Sequence, residues 1–225
     1  MKGQDPVEAT GTDGSWTLSH SLKSVKKRDA ILRAASEIIN IKSFALATMS
    51  EIAARLDLRD AALYYYFPNK QALAFACHLQ SLERLENILV ATLRTNGAGA
   101  ERLERFLRDL LHDAAENGPL LYFGDLSYLT DAQRTEVSDW GQRLTNDLER
   151  LVEDGIVDGS IVTCEPKLVV QLLLGMLIWL VKWVPTVQGA TPDRLMAAMG
   201  VVSLKGLEPR RSGAETRRSA SAPAR

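Results

Sequence analysis

Cysteine is nearly absent from this sequence: Cys77 and Cys164 are the only two in 225 residues. Both sit among apolar neighbours, and no apolar stretch follows Lys2 as a secretion leader requires. Two packed thiols in a reducing cytoplasm are therefore expected, not a disulfide framework. Histidine is as sparse: His20, His78 and His112 have no partners at metal-ligand spacing, and Cys77 next to His78 is chain adjacency, not a nucleophile pair. Nowhere do apolar and polar residues alternate as in a half-buried strand, and without a strand a glycine-rich phosphate loop has no setting. Long apolar runs are missing with one exception. Leu168–Val184 is interrupted by Gln171 and Lys182 and stops at Pro185; its length lies at the lower edge of a bilayer span, so it reads as a buried helix and not a membrane segment. These absences leave no catalytic, metal or cofactor site and point to a protein that binds.

What is present is a substantial apolar fraction, 46%, enough for a large core, and an uneven charge. Residues 23–73 carry nine Lys/Arg against five Asp/Glu, whereas residues 74–206 carry twelve against eighteen. A basic module ahead of an acidic body suits a DNA reader attached to a regulatory domain, although the net charge of −1 alone argues against nucleic acid.

The periodicity is helical almost throughout. Ile31, Ala34, Ala35, Ile38 and Ile39 form the stripe of a first helix over 25–40. Thr48-x-x-Glu51 is a capping box opening a short second helix, Asp57-Leu58 a tight turn, and a third helix runs to Tyr66. Pro68-Asn69 stops it and caps a long fourth helix with Leu73, Cys77, Leu82 and Leu89 on its buried face. Further helices are expected over 101–116, from the capping box Thr130/Gln133 to Glu153, from Pro166 and from Thr191-Pro192, with an aromatic segment at 120–129 and turns at the two Asp-Gly pairs after 153. The fold class is all-α. The expected organisation is a disordered tail at 1–22, a three-helix DNA-binding domain at 23–70, a regulatory and dimerisation domain of about six helices at 71–206, and a disordered basic tail at 207–225.

Two short helices joined by a tight turn, with Ala53 where they must cross, leave Arg59, Ala61, Ala62, Tyr65 and Tyr66 toward solvent on the third helix. Small side chains allow close approach to base edges in a major groove, and tyrosine hydroxyls reach phosphates. Lys26, Lys27 and Arg28 ahead of the first helix are as readily a solvated run as a minor-groove contact. Ile52-Ala53, Leu63-Tyr64, Tyr66-Phe67, Lys70 and Leu73 together resemble the N-terminal module of the TetR family of bacterial regulators, over residues 25–75. The resemblance implies that Thr48 touches phosphate, that Arg59, Asp60, Ala61, Ala62, Tyr65 and Tyr66 face bases or sugar-phosphate, and that Tyr64 and Lys70 clamp the backbone. Three positions depart from the family pattern. Ser43 and Asp57 stand where glycine is usual, and Arg59-Asp60 replaces a small start to the third helix, leaving Asp60 to cap that helix or to accept from a cytosine amino group. Tyr64 is expected to be the tyrosine that packs.

For the body, the resemblance implies a homodimer through helices 165–184 and 191–206, a palindromic double-stranded DNA operator, and a small apolar effector, with acyl-CoA or a fatty acid as the guess. Phe106, Tyr122, Phe123, Trp140, Met176 and Trp179 are the candidate effector-binding residues, each also a plausible core aromatic or Met. A repressor released by its ligand is expected. The alternatives are an activator and a helical small-molecule-binding module without DNA function; an enzyme would need a polar constellation that the sequence lacks.

Overall fold

The computed structural model describes residues 14–204. Among them are eight α-helices and no strand: α1 (Gly14–Lys42), α2 (Met49–Arg55), α3 (Asp60–Tyr66), α4 (Lys70–Leu93), α5 (Gly99–Asn117), α6 (Asp131–Val157), α7 (Pro166–Trp183) and α8 (Pro192–Met199). A 3-10 turn (Val184–Thr186) extends α7 and a π-helical turn (Gly200–Leu204) extends α8. Residues 1–13 of the expected N-terminal tail, and all of the expected C-terminal tail at 207–225, lie outside the described residues. Residues 14–22 of that tail are the start of α1, because neither glycine nor proline interrupts the chain between Gly14 and Ser43.

The capping chemistry is largely as the sequence dictates. Asn69 Oδ1 accepts from Ala72 N at 2.7 Å, and Thr130 and Gln133 exchange both bonds of a capping box. Thr191 Oγ1 accepts from Arg194 N, with Pro192 in the first turn of α8 as Pro166 is in α7. The box at Thr48 is only half made: Thr48 Oγ1 accepts from Glu51 N, but the Glu51 carboxylate turns instead to Lys42 at 2.7 Å. α6 runs past the expected stop to Val157, because Gly155 is a packing position inside the helix. The aromatic segment at 120–129 is irregular, and among the described residues five α-helices follow the first three.

Ser43 and Asp57 are the only non-glycine residues with positive φ among those described, at 81° and 54°. Both therefore hold left-handed turns that glycine would take without strain. Ser43→Gly should stabilise the protein by about 1 kcal/mol, since the left-handed conformation costs an L-residue roughly that much. In a thermal melt this is a rise of about 2–4 °C for a chain of this size. Asp57→Gly should gain less, because aspartate tolerates this conformation.

Two hydrophobic cores share one helix. The first joins Ile31, Leu32 and Ala35 of α1 to Ile52, Ala53, Leu63 and Phe67, and takes Leu73, Ala74 and Cys77 from the start of α4. The second gathers α5, α6, α7 and α8 around Leu82 and Leu89, farther along the same helix. α4 is thus a continuous rod through both, and any displacement of its second half reaches the first core.

A helix apolar nearly all round needs cover on every side, and within this one copy Val170, Leu173 and Leu177 are the buried residues of α7. The segment Pro166–Thr186 is by length and composition apolar enough to cross a membrane, and little of it is buried within the chain. Leu168, Leu172, Trp179 and Trp183 form an outward stripe along it.

Candidate nucleic-acid interface and adjoining cavity

α3 is a seven-residue helix pinned by Leu63, fully buried against α1 and α2, with Phe67 closing its end. With these two facing inward, helical spacing puts Ala61 and Tyr65 on the opposite face, and both are exposed, as are Asp60 at the start of the helix and Tyr64. Tyr65 is 84% exposed, an aromatic side chain held in water by the fold. Arg59 precedes the helix in extended conformation and is exposed, as is Thr48 at the start of α2. Ala62 is half-buried.

The tyrosine that packs is not the expected one. Tyr64 is about half exposed, whereas Tyr66 packs onto the first core and receives Tyr65 edge-on, ring centroids 5.3 Å apart. Helical phase allows either, since each lies one turn from one anchor and beside the other; the packing around the end of α3 selects Tyr66. Asp60 does not cap α3, whose N-cap position is Arg59 without a side-chain bond. Its carboxylate accepts from the Ser50 hydroxyl and so ties the start of α3 to α2.

Lys70 also differs from expectation. Its ammonium donates to the carbonyls of Phe44 (2.8 Å), Ala45 (3.3 Å) and Ala47 (2.9 Å) and lies 4.4 Å from the centre of the Phe44 ring. Three donors on three carbonyls engage the whole ammonium, so Lys70 staples the α1–α2 loop. The spacing of the motif points to the residue but not to its partner, because the loop that supplies the carbonyls carries no side-chain signature. Arg28, resting 5.4 Å over the Phe67 ring, is another cation of this face.

Behind this surface lies a cavity of about 770 Å³, walled by α4–α8, the 119–126 segment and, from the DNA-facing unit, Glu37, Asn40 and Ile41 of α1. Of the six residues expected to line it, Tyr122 and Phe123 do. Phe106 is fully buried core, Met176 packs against that core, and Trp140 donates its ring N–H to Glu86 at 3.1 Å. Trp179 is 56% exposed on the outward stripe of α7, its ring edge-to-face with Tyr122 at 6.4 Å between centroids. Cavity-facing positions of α7 run from Gln171 through Leu174, Gly175, Leu177, Ile178 and Leu180 to Val181, an arc of the helix that leaves out 176 and 179.

Asn40 joins this wall to α1. Its side chain donates to Leu120 O (2.8 Å) and accepts from Tyr122 N (2.8 Å), while its own carbonyl accepts from Lys182 of α7 (2.6 Å). Lys182 thus meets the C-terminal end of α1, where the helix dipole favours a cation. A lysine near the end of the apolar run Leu168–Val184 was the available signal; its partner lies far away in sequence. A second link runs through aromatics: Phe123 lies 5.1 Å from the His78 ring, His78 Nε2 is 2.8 Å from the Tyr128 hydroxyl, and Tyr128 stacks on Phe44 at 3.8 Å. Burial holds the His78 pKa down to about 4 and pushes the Tyr128 hydroxyl up, so both are neutral at physiological pH. Burial also raises Cys77 to about 12, the state of an inert packed thiol.

Residues 31–77 match a family model described as bacterial regulatory proteins, tetR family, and residues 96–207 match one described as tetracyclin repressor-like, C-terminal domain. The HTH-type transcriptional regulator BetI of Rhizobium meliloti is 28% identical over 110 residues, 49% of this chain and 54% of its own length, so the chain spans about half of that curated relative. Two solved structures share the fold. The TetR family transcriptional regulator PfmR from Thermus thermophilus is 23% identical with a TM-score of 0.67, covering 80% of this chain and 99% of its own. AibR in complex with isovaleryl coenzyme A and operator DNA is 23% identical with a TM-score of 0.64, covering 77% and 97%.

Proposed function

This chain belongs to the TetR family of bacterial regulatory proteins, and on that premise we propose that it is a cytoplasmic transcriptional repressor that binds a palindromic operator as a homodimer and lets go when a small molecule fills its cavity. The observation that carries the reading is α3, a short helix seated on a buried Leu63 with Ala61, Tyr64 and Tyr65 projecting into solvent. Arg59, Asp60, Ala62 and Tyr66 complete the surface laid on the duplex, and Thr48 offers its hydroxyl to phosphate from the start of α2. The second copy supports the outward faces of α7 and α8, where Leu168, Leu172, Trp179 and Val201 are exposed. A bilayer is the poorer cover, because α7 also packs along α6 and grips α1 through Lys182. Two-fold symmetry then sets half-sites about one helical turn apart.

Release follows from the cavity wall. Glu37, Asn40 and Ile41 belong to α1, so a ligand there touches the DNA-binding unit itself as well as α4. A ligand that fits better when α1 and α4 are displaced shifts the population toward the form that does not bind DNA.

Selection of bound duplexes from a random pool tests DNA binding, symmetry and spacing together; a pool showing no enrichment at low salt refutes the proposal. On the selected duplex, Tyr65→Ala should weaken binding by about tenfold, the loss of one good contact, while the melt stays within about 0.5 kcal/mol of the parent, as for other exposed positions. Lys70→Ala should behave differently. It loses three carbonyl partners, so it lowers the melting temperature and weakens DNA binding through the loop, with an unchanged salt slope because no phosphate contact is lost.

A further inference from the structure

The cavity wall carries a charge pattern that narrows the ligand. Among the described residues lining it, Glu37 is the one charged side chain; the rest are mainly aliphatic, with Asn40, Ser138, Thr145 and Gln171 as the polar exceptions. The cations nearby are committed elsewhere. Arg33 and Arg55 flank Glu37, with Arg33 also on the Glu116 carbonyl, Arg84 grips Asp113 and the Gly118 carbonyl, and Lys182 is turned onto the Asn40 carbonyl and the Tyr122 ring. A carboxylate or phosphate brought here would shed water beside the already paired Glu37 and would gain a counter-charge only by drawing Lys182 off the Asn40 carbonyl.

One place in the wall is conspicuously empty. Gly141 of α6 lines the cavity, and a Cβ built on it would meet nothing within 4 Å. It lies between Ser138 and Thr145 on one helical face. The Thr145 hydroxyl donates to Gly141 O at 2.9 Å and keeps its lone pairs free to accept. A ligand hydroxyl that passes the bare glycine therefore finds an acceptor beside it.

We propose that the cavity takes an uncharged, largely aliphatic or alicyclic molecule with one hydrogen-bonding end, seated with that end against the Gly141 face of α6. This rests on the reading of the cavity as the effector site, and it disfavours the acyl-CoA or fatty acid that the sequence resemblance implies. The ligand's apolar part replaces water along Leu110, Leu174 and Ile178, and its single polar group is met by neutral partners.

Three probes of equal chain length, 1-decanol, decanoate and decanoyl-coenzyme A, separate the head-group classes. Titrated at pH 8 into the full chain, decanol should bind and raise the melting temperature, and both anions should bind at least about tenfold more weakly, a difference set by desolvating the charge and drawing Lys182 from its partners. Gly141→Leu should fold, since its side chain enters open space, melt higher than the parent through helix propensity, and lose the decanol response. Equal or tighter binding of either anion overturns the proposal, as does failure of all three to bind or an unchanged decanol affinity in Gly141→Leu. The reading of the protein as a DNA-binding regulator fails separately, when decanol binds but no duplex is ever enriched.

Discussion

Gly99→Ala should lower the melting temperature by about 4–9 °C, a large effect for a single methyl group. An added Cβ would sit 2.3 Å from Gly155 Cα and 2.4 Å from Gly155 N, against backbone that cannot rotate aside. α5 and α6 would have to part at their closest crossing, an overpacking cost of about 3 kcal/mol. Greater helix propensity offsets less than about 1 kcal/mol of it, and the remaining 2 kcal/mol or so, at about 2–4 °C per kcal/mol for this chain length, gives most of the range. The same separation would pull Gly99 N from the Asp158 carboxylate, 2.7 Å away, and Ala100 N from Ser160 Oγ, 3.0 Å away, which together cap α5 from the α6–α7 turn. The lost cap brings the total toward the upper end. Two controls fix the interpretation. Gly155→Ala meets the Ile161 side chain, which can move, and should cost less; Gly141→Ala meets nothing and should stabilise. Three identical substitutions with one large loss, one small loss and one gain would be unexplained by propensity alone. Equal shifts in all three would refute the crossing argument.

The second large effect is acid lability centred on His78. Its ring is fully buried on α4, bonded through Nε2 to the Tyr128 hydroxyl, with Nδ1 buried and unpartnered. The folded pKa of about 4 lies below the ordinary histidine value of 6.5, and desolvation is the cause. The unfolded chain therefore binds the extra proton first. Stability from the neutral ring is complete above pH 6.5 and is lost as the pH falls toward 4. The difference corresponds to about 3 kcal/mol over that window, at about 1.4 kcal/mol for each pH unit. Urea midpoints measured at about pH 7, 6, 5 and 4.5 should fall accordingly. His78→Phe removes the titration: whatever its stability at neutral pH, its decline across this window should be shallower by that amount. A parallel decline in both proteins would assign the acid lability to other groups. Because His78 links Phe123 on the cavity wall to Tyr128 and Phe44, the same variant should also alter how a cavity ligand affects DNA binding.

The helical architecture is legible because it is written in local terms. Asn69, Thr130, Pro166 and Thr191 act on neighbours within one turn, so their caps can be read from spacing. The two non-glycine left-handed turns are legible for the same reason: Ser43 and Asp57 occupy positions where the family pattern requires glycine, and the backbone adopts that conformation at both. The outward face of α3 follows from periodicity once Leu63 is identified as the anchor. Tyr66 escapes this reading because periodicity alone does not say which neighbour closes a helix end. Lys70 escapes it because a charged residue in a motif has no visible partner until the loop beside it is folded.

By itself, the sequence determined the order of the helices, the caps that begin them, the basic bias of the first unit and the motif that places this chain in its family. Each is an interaction between residues a few positions apart, or a sum over composition. Tertiary structure alone decided that Asn40 and Lys182 meet across 142 positions, that Gly99 and Gly155 touch, and that a largely aliphatic cavity borders α1 while Trp179 stays outside it. Such features depend on the relative phase and crossing of helices distant in the chain, and side-chain packing over the whole fold sets these, not any window of residues.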